Sequence, residues 1–171
     1  MFIRLDKIYL NNQLEVIWLE EFVKVRVSGV AQVDTPFGLT PILLLEDDRE
    51  RVLVIAVGGA EASSIAIALS GEHLPAPNTH DFMKDILDEM DVKVKRGEIY
   101  DIQSNRFLAR VILESGKGES TISGRPSDVI ALAVRSGADI YIAEDVMQRA
   151  SVEKSTLLKK SEEEEGGETE E

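Results

Sequence analysis

The chain has 171 residues, 43% of them hydrophobic, enough to bury the core of one domain of ordinary size. It has no cysteine, which excludes disulfides, thiolate nucleophiles and thiolate metal sites, and only two histidines, which excludes a metal centre built mainly of imidazole. The net charge is −13: from Ser151 onward eight acidic and three basic residues carry −5, leaving −8 on residues 1–150. Such a body repels a phosphate backbone within a Debye length of roughly 8 Å at physiological salt, which disfavours a high-affinity duplex-DNA binder. A nuclease that meets its substrate locally, through a metal ion or an arginine, is not excluded.

The first residues alternate charged with apolar groups and lack the apolar stretch of a signal peptide. The longest apolar runs, such as residues 129–134, fall far short of the roughly 18 residues a membrane span needs. A soluble cytoplasmic protein without a membrane partner is expected. Residues 1–20 fit two short strands, although Leu14 to Glu21 could also be helical. Residues 22–27 (FVKVRV) alternate with period two, the pattern of a half-buried strand. Turn chemistry at Thr35-Pro36-Phe37-Gly38 leads to the apolar run 41–46, and the acidic connector 47–50 joins it to a third run, 51–57, predicting an antiparallel pair.

Gly58-Gly59 opens an alanine-rich helix with Glu61 in its first turn, where the helix dipole favours a carboxylate. The proline-bounded loop 71–77 ends it, with His73 read as an exposed polar residue. A second helix starts at Asn78 or Thr79 with Asp81 in capping-box position, and its apolar face is Phe82, Met83, Ile86, Leu87 and Met90, spaced to pack. Runs 92–96, 107–113 and 120–123 read as a strand meander. A third helix runs from Pro126, in the first turn where proline belongs, to Arg135, with Gly137 ending it. A short strand at 139–142 and a short helix from Ala143 follow. Strands and helices mix without strict alternation, so the expected fold class is α+β, with a mixed, largely antiparallel sheet and three main helices. The expected organisation is an N-terminal extension over 1–21, a domain over 22–150 and an acidic, disordered tail over 151–171.

Two polar helix starts carry the chemistry. His80 and Asp81 can be a general base, or metal ligand, oriented by a carboxylate; the two residues alone favour a capping network, which accounts for Asp81 without further chemistry. Arg125, ahead of Pro126, Ser127 and Asp128, can clamp a phosphate at the exposed N–H donors of a helix start, or tie helix starts together through ion pairs to Glu61, Asp81 or Asp128. Glu61, Asp81 and Asp128 with water could hold a hard cation, magnesium or manganese rather than zinc. Gly58-Gly59 lacks the lysine and hydroxyl of a nucleotide loop, and no serine nucleophile elbow is present.

Three segments, IAVGGAEA at 55–62, PNTHDF at 77–82 and GRPSDVIALAVRSGADIY at 124–141, together resemble the bifunctional nuclease domain family. The resemblance covers about residues 22–150. It implies nuclease activity on RNA and DNA, and it puts Glu61, His80, Asp81, Arg125, Ser127 and Asp128 at the family's polar motif positions. Ala56 stands where members often carry tryptophan, and Asn78 where leucine is common. The resulting expectation is a nuclease of little sequence specificity. His80 would be general base or acid, Arg125 would stabilise phosphate charge, and Glu61, Asp81 and Asp128 would hold a divalent ion. The rival expectation is a non-catalytic oligomeric scaffold or small-anion binding module. Burial of a sheet edge in a symmetric partner would make a homodimer.

Overall fold

The computed structural model describes residues 7–10, 13–16, 21–36, 38–72 and 74–157. An antiparallel ribbon of β1 (Lys7–Leu10) and β2 (Gln13–Val16) comes first, matching the two-strand reading of this stretch; residues 17–20 of the helical alternative lie outside the described residues. β3 (Phe22–Thr35), β4 (Gly38–Glu46) and β5 (Arg51–Ala56) then run antiparallel. β3 is much longer than its alternating segment because a bulge between Val27 and Gly29 shifts the register. An extra residue bends a strand. Here the segment before the bulge pairs with β9 (Asp139–Ala143), while Arg26 and the residues after it follow β4.

α1 (Gly59–Ser70) and α2 (Thr79–Glu89) precede the meander of β6 (Lys93–Gln103), β7 (Arg106–Ser115) and β8 (Gly118–Gly124). α3 (Pro126–Arg135) follows, ended by Gly137 in the left-handed conformation at φ 61°, then β9, α4 (Glu144–Ala150) and β10 (Ser151–Glu153). Eight strands join in the order β10-β5-β4-β3-β9-β6-β7-β8, with β6 and β9 as a parallel pair among antiparallel ones. The fold class is α+β, as the element pattern predicts.

The core lies between this sheet and α1 and α3, where Leu43, Leu53, Ile65, Ile99, Ile130 and Ile142 are fully buried. Five consecutive residues of α3, Val129 to Ala133, are buried because α1, α2, β6 and β7 surround the helix. Gly97 on β6 makes the approach close: a Cβ there would lie 2.9 Å from Val129 Cγ1. Arg51 binds both Glu144 oxygens at 2.8 and 2.9 Å and Asp47 at 2.8 Å, tying the β4–β5 turn to α4.

Two expectations are corrected. The apolar face of α2 does not enter the core: Phe82, Met83, Ile86 and Met90 are exposed, Leu87 is only partly buried, and His80 is the helix's buried residue. α2 lies against α3 at the rim, and within one chain nothing described covers its outer face. The tail boundary at 151 also falls inside ordered structure. β10 pairs with β5, a helical turn occupies 154–157, and Lys154 Nζ reaches Glu46 at 2.9 Å. Residues 158–171, where disorder is expected, lie outside the described residues.

Candidate functional site

The starts of α1, α2 and α3 line one cleft of about 560 Å³, closed on its far side by β7 and β8. Each start is built differently. α1 begins at Gly58, which has no side chain to cap the helix; a Cβ there would overlap the Glu61 carboxylate, so the glycine leaves room for that group. α2 begins with a full capping box. Asn78 Oδ1 accepts from the His80 and Asp81 amides at 2.9 and 3.2 Å, and Asp81 Oδ2 accepts from the Asn78 amide at 2.9 Å. α3 begins with Arg125 in the cap position and Pro126 in the first turn, and neither caps through its side chain. Asp128 instead faces Arg125, accepting from Nε at 2.7 Å and from Nη2 at 2.8 Å.

Side chains from all three starts meet. Arg125 Nη2 also binds Glu61 Oε1 at 2.8 Å, and His80 Nε2 lies 3.3 Å from Asp128 Oδ1. Glu61, Arg125, Asp128 and His80 thus form one continuous cluster. Asp81 does not join it. Successive residues of a helix are rotated by about 100° around its axis, so neighbours 80 and 81 point different ways. The Asp81 carboxylate meets Arg135, at the far end of α3, whose Nε donates to Oδ1 at 2.6 Å. Asp81 is therefore a capping and ion-pair residue here, as its local sequence suggested. Ser127 is buried at the α3 start, away from the cluster, and His73 lies outside the described residues.

The electrostatics follow the contacts. The Arg125 guanidinium, opposed by burial and helped by His80, holds the Asp128 carboxyl below its ordinary value of 3.8. Arg125 is in turn raised, first by Asp128 and then by Glu61. Burial pushes Asp81 up, but Arg135 and the Asn78 amide outweigh it and hold the group low. His80 is 6% exposed, whereas the Arg125 side chain is 66% exposed. Arg125 stands on the ridge between the cleft and a neighbouring groove of about 960 Å³, whose lining includes Ala56, Arg106 and the start of α3.

The expected set of Glu61, Asp81 and Asp128 is not gathered around one point, and among the described residues no three histidine, aspartate or glutamate side chains are grouped to hold a metal ion. Two carboxylates do converge: Glu61 Oε1 and Asp128 Oδ1 contact the same Arg125 nitrogen, each at 2.8 Å.

Ser64 and Arg135 were not among the predicted site residues. Ser64 Oγ lies 2.9 Å from His80 Nδ1, and Arg135, with a side chain only 6% exposed, donates to Ser64 Oγ at 2.9 Å and Ser64 O at 3.0 Å, with Asn78 Oδ1 at 3.3 Å. The available signal was spacing. Arg135 lies seven residues after Asp128, two turns along one helix face.

The fold and cluster define an α+β domain with a histidine, two carboxylates and an exposed arginine gathered at helix starts beside a cleft. Residues 42–155 match the bifunctional nuclease domain, and the chain belongs to that family. Two proteins of Mycobacterium tuberculosis, uncharacterized protein MT1877 of strain CDC 1551 / Oshkosh and uncharacterized protein Rv1829 of strain H37Rv, are each 35% identical to it over 129 residues, 75% of this chain and 76% of theirs. Among the described residues no helix is long and apolar enough to cross a membrane.

Proposed function

We propose that the chain is a nuclease, a phosphodiesterase acting on RNA or DNA with little sequence preference. The observation that carries this reading, beyond family membership, is Arg125: a largely exposed guanidinium on the ridge between two adjoining clefts, held by Glu61 and Asp128 and backed by His80. A single strand laid across the ridge would bring a phosphate to Arg125, whose Nη1 protons are not used by Glu61 or Asp128 and can donate to it, stabilising the charge that builds on phosphorus. The cleft wall behind it is apolar, with Met83, Val111, Ile122 and Leu132, so it offers a base contact surface rather than a hydrogen-bonding code. That is the physical basis for low sequence preference. His80 is expected to act through Asp128, since its ring is buried and turned toward that carboxylate.

Magnesium or manganese enters as part of the proposal. Such ions take one or two carboxylates together with substrate phosphate oxygens, and Glu61 and Asp128, whose carboxylates meet at Arg125 Nη2, would be the pair to hold one, without Asp81. The ion would supply Lewis-acid stabilisation of phosphate charge. The cluster holds two carboxylates and one guanidinium in an acidic chain, so a divalent cation would also ease approach of a polyanion.

One observation favours the second reading, a non-catalytic scaffold or anion-binding module. His80 is buried with both ring nitrogens in contact with partners, as in a purely structural network. Cleavage of fluorescent single-stranded RNA and DNA separates the two, with magnesium, manganese or EDTA, comparing wild type with Arg125→Ala, Asp128→Asn and, as a control at the β7–β8 turn, Lys117→Ala. The nuclease reading expects Arg125→Ala to lower kcat by roughly 10²- to 10³-fold, the scale for losing one donor to a developing anion. Cleavage that survives both site substitutions would assign the activity elsewhere.

A further inference from the structure

We infer that Ser64 and Arg135 are positioning residues that hold the His80 imidazole in its Nε2–H form, with that proton directed at Asp128, so that His80 orients the Asp128 carboxylate at the cleft mouth. The catalytic meaning rests on the nuclease reading; the placement of the proton does not.

A guanidinium has donors and no acceptor, so Arg135 Nη2 must donate to Ser64 Oγ at 2.9 Å. Ser64 then has one proton of its own and two neighbours to receive it: His80 Nδ1 at 2.9 Å and Asn78 Oδ1 at 3.3 Å. Asn78 Oδ1 is already the acceptor for the His80 amide at 2.9 Å and the Asp81 amide at 3.2 Å, while the two protons of Arg135 Nη2 go to its nearer partners, Ser64 Oγ and Ser64 O. A carbonyl oxygen has two lone pairs, so this acceptor is full, and the capping contacts fix which end of the Asn78 amide faces them. The Ser64 proton therefore goes to His80 Nδ1, the nearer and emptier acceptor. Nδ1 carries a lone pair in that bond, the ring proton sits on Nε2, and Nε2 faces Asp128 Oδ1 at 3.3 Å.

Both ring nitrogens are then spent inside the network, and His80 presents no lone pair to the cleft. Asp128 is placed differently. Its side chain is 27% exposed, and of its roughly four lone-pair sites Arg125 takes one on each oxygen and His80 one on Oδ1. One site on Oδ2 is left for a ligand from the cleft. Arg135 can impose this arrangement because it cannot move. Its guanidinium is pinned by Asp81 at 2.6 Å, by the Ala131 carbonyl at 3.1 Å and by the Ser64 carbonyl at 3.0 Å, bridging all three helices. A buried side chain held through all three of its nitrogens behaves as a fixed reference for the hydroxyl beside it.

The test is long-range proton–nitrogen NMR of the imidazole in the full chain at neutral pH, in a His73→Gln background that leaves His80 as the single ring. The expected result is an unprotonated Nδ1 and a protonated Nε2. Ser64→Ala should shift the pattern toward Nδ1–H or rapid exchange between the two forms, and Ser64→Thr, which restores the hydroxyl, should bring the original pattern back. A wild-type ring protonated on Nδ1 or on both nitrogens would overturn the inference, as would ring signals unmoved by Ser64→Ala. In the cleavage assay Ser64→Ala should lower kcat by roughly 10- to 100-fold with KM little changed, the scale for groups that orient a reacting side chain. Loss in KM alone would count against a positioning role. Absence of cleavage in wild type would end the nuclease reading and leave the ring signals to decide the proton placement.

Discussion

Substituting Gly97 with alanine should destabilise the protein and disturb the cleft at once. A Cβ at this position would meet Val129 Cγ1 at 2.9 Å and Ala133 Cβ at 3.4 Å, against about 3.5–4.0 Å for comfortable carbon contacts. α3 must lift from β6, or Val129 must leave its rotamer; overpacking of this kind costs about 1–3 kcal/mol. Removing a strand glycine returns roughly 0.5–1 kcal/mol through the unfolded chain, so the net loss is about 1 kcal/mol, within limits of roughly 0–2.5 kcal/mol. Val129→Ala alone should cost about 2 kcal/mol, since Val129 is 3% exposed and two methyl groups of roughly 0.8 kcal/mol each are lost along with some packing. In the double variant the new methyl group occupies the space that Cγ1 vacates. The pair should therefore be less destabilised than the sum by about 1 kcal/mol or more. Urea denaturation with unchanged m values measures all three. Strict additivity in the double variant would refute the claim that contact with Val129 sets the seat of α3. Because α3 carries Arg125 and Asp128 at its start, lifting it should also loosen the 3.3 Å contact between His80 and Asp128.

Acid should destabilise the protein in a defined window. Arg51, against the effect of burial, holds Glu144 below its ordinary 4.5, and Arg125 does the same for Asp128 against 3.8. A carboxylate whose folded pKa is lowered contributes fully above its unfolded value and loses that contribution as pH falls through the folded one. Melting temperature should thus hold from neutrality to about pH 5 and fall below about pH 4, and a melt unchanged at about pH 3 would count against these ion pairs. Phe82→Ser should change the stability of dilute protein by less than about 0.5 kcal/mol, because the side chain is 58% exposed; a loss above about 2 kcal/mol would show that something covers α2 in solution. Gly58→Ala should also stay within about 0.5 kcal/mol, since φ of −71° suits alanine, while it displaces the Glu61 carboxylate and weakens cleavage. Cleavage equal to wild type would remove Glu61 from the site.

Local patterns made the elements legible, and contacts between them decided the site. Capping chemistry at Asn78 and Asp81, proline at 126 and glycine at 137 located the ends of α2 and α3 because such signals act within one helical turn. The length of β3 was hidden, since the bulge after Val27 breaks the alternation on which strand recognition relies. The fate of α2 was hidden for another reason. A 3.6-residue period shows that Phe82, Met83, Ile86 and Met90 share a face, yet says nothing about whether a partner lies opposite. At the site, side chains from the helix starts meet, but adjacency misled: His80 and Asp81 share a peptide bond and serve different partners. Asp81 belongs to Arg135 and the cap, while His80 belongs to Ser64 and Asp128. The same two residues also explain why the cluster is stiff. α2 is anchored to α3 twice, through Asp81 at its C-terminal end and through His80 at its N-terminal start, and Ser64 of α1 joins the two anchors through Arg135. A helix pinned at two points along its neighbour cannot rotate about either one, so Asp128 and Arg125 keep a fixed aspect toward the cleft.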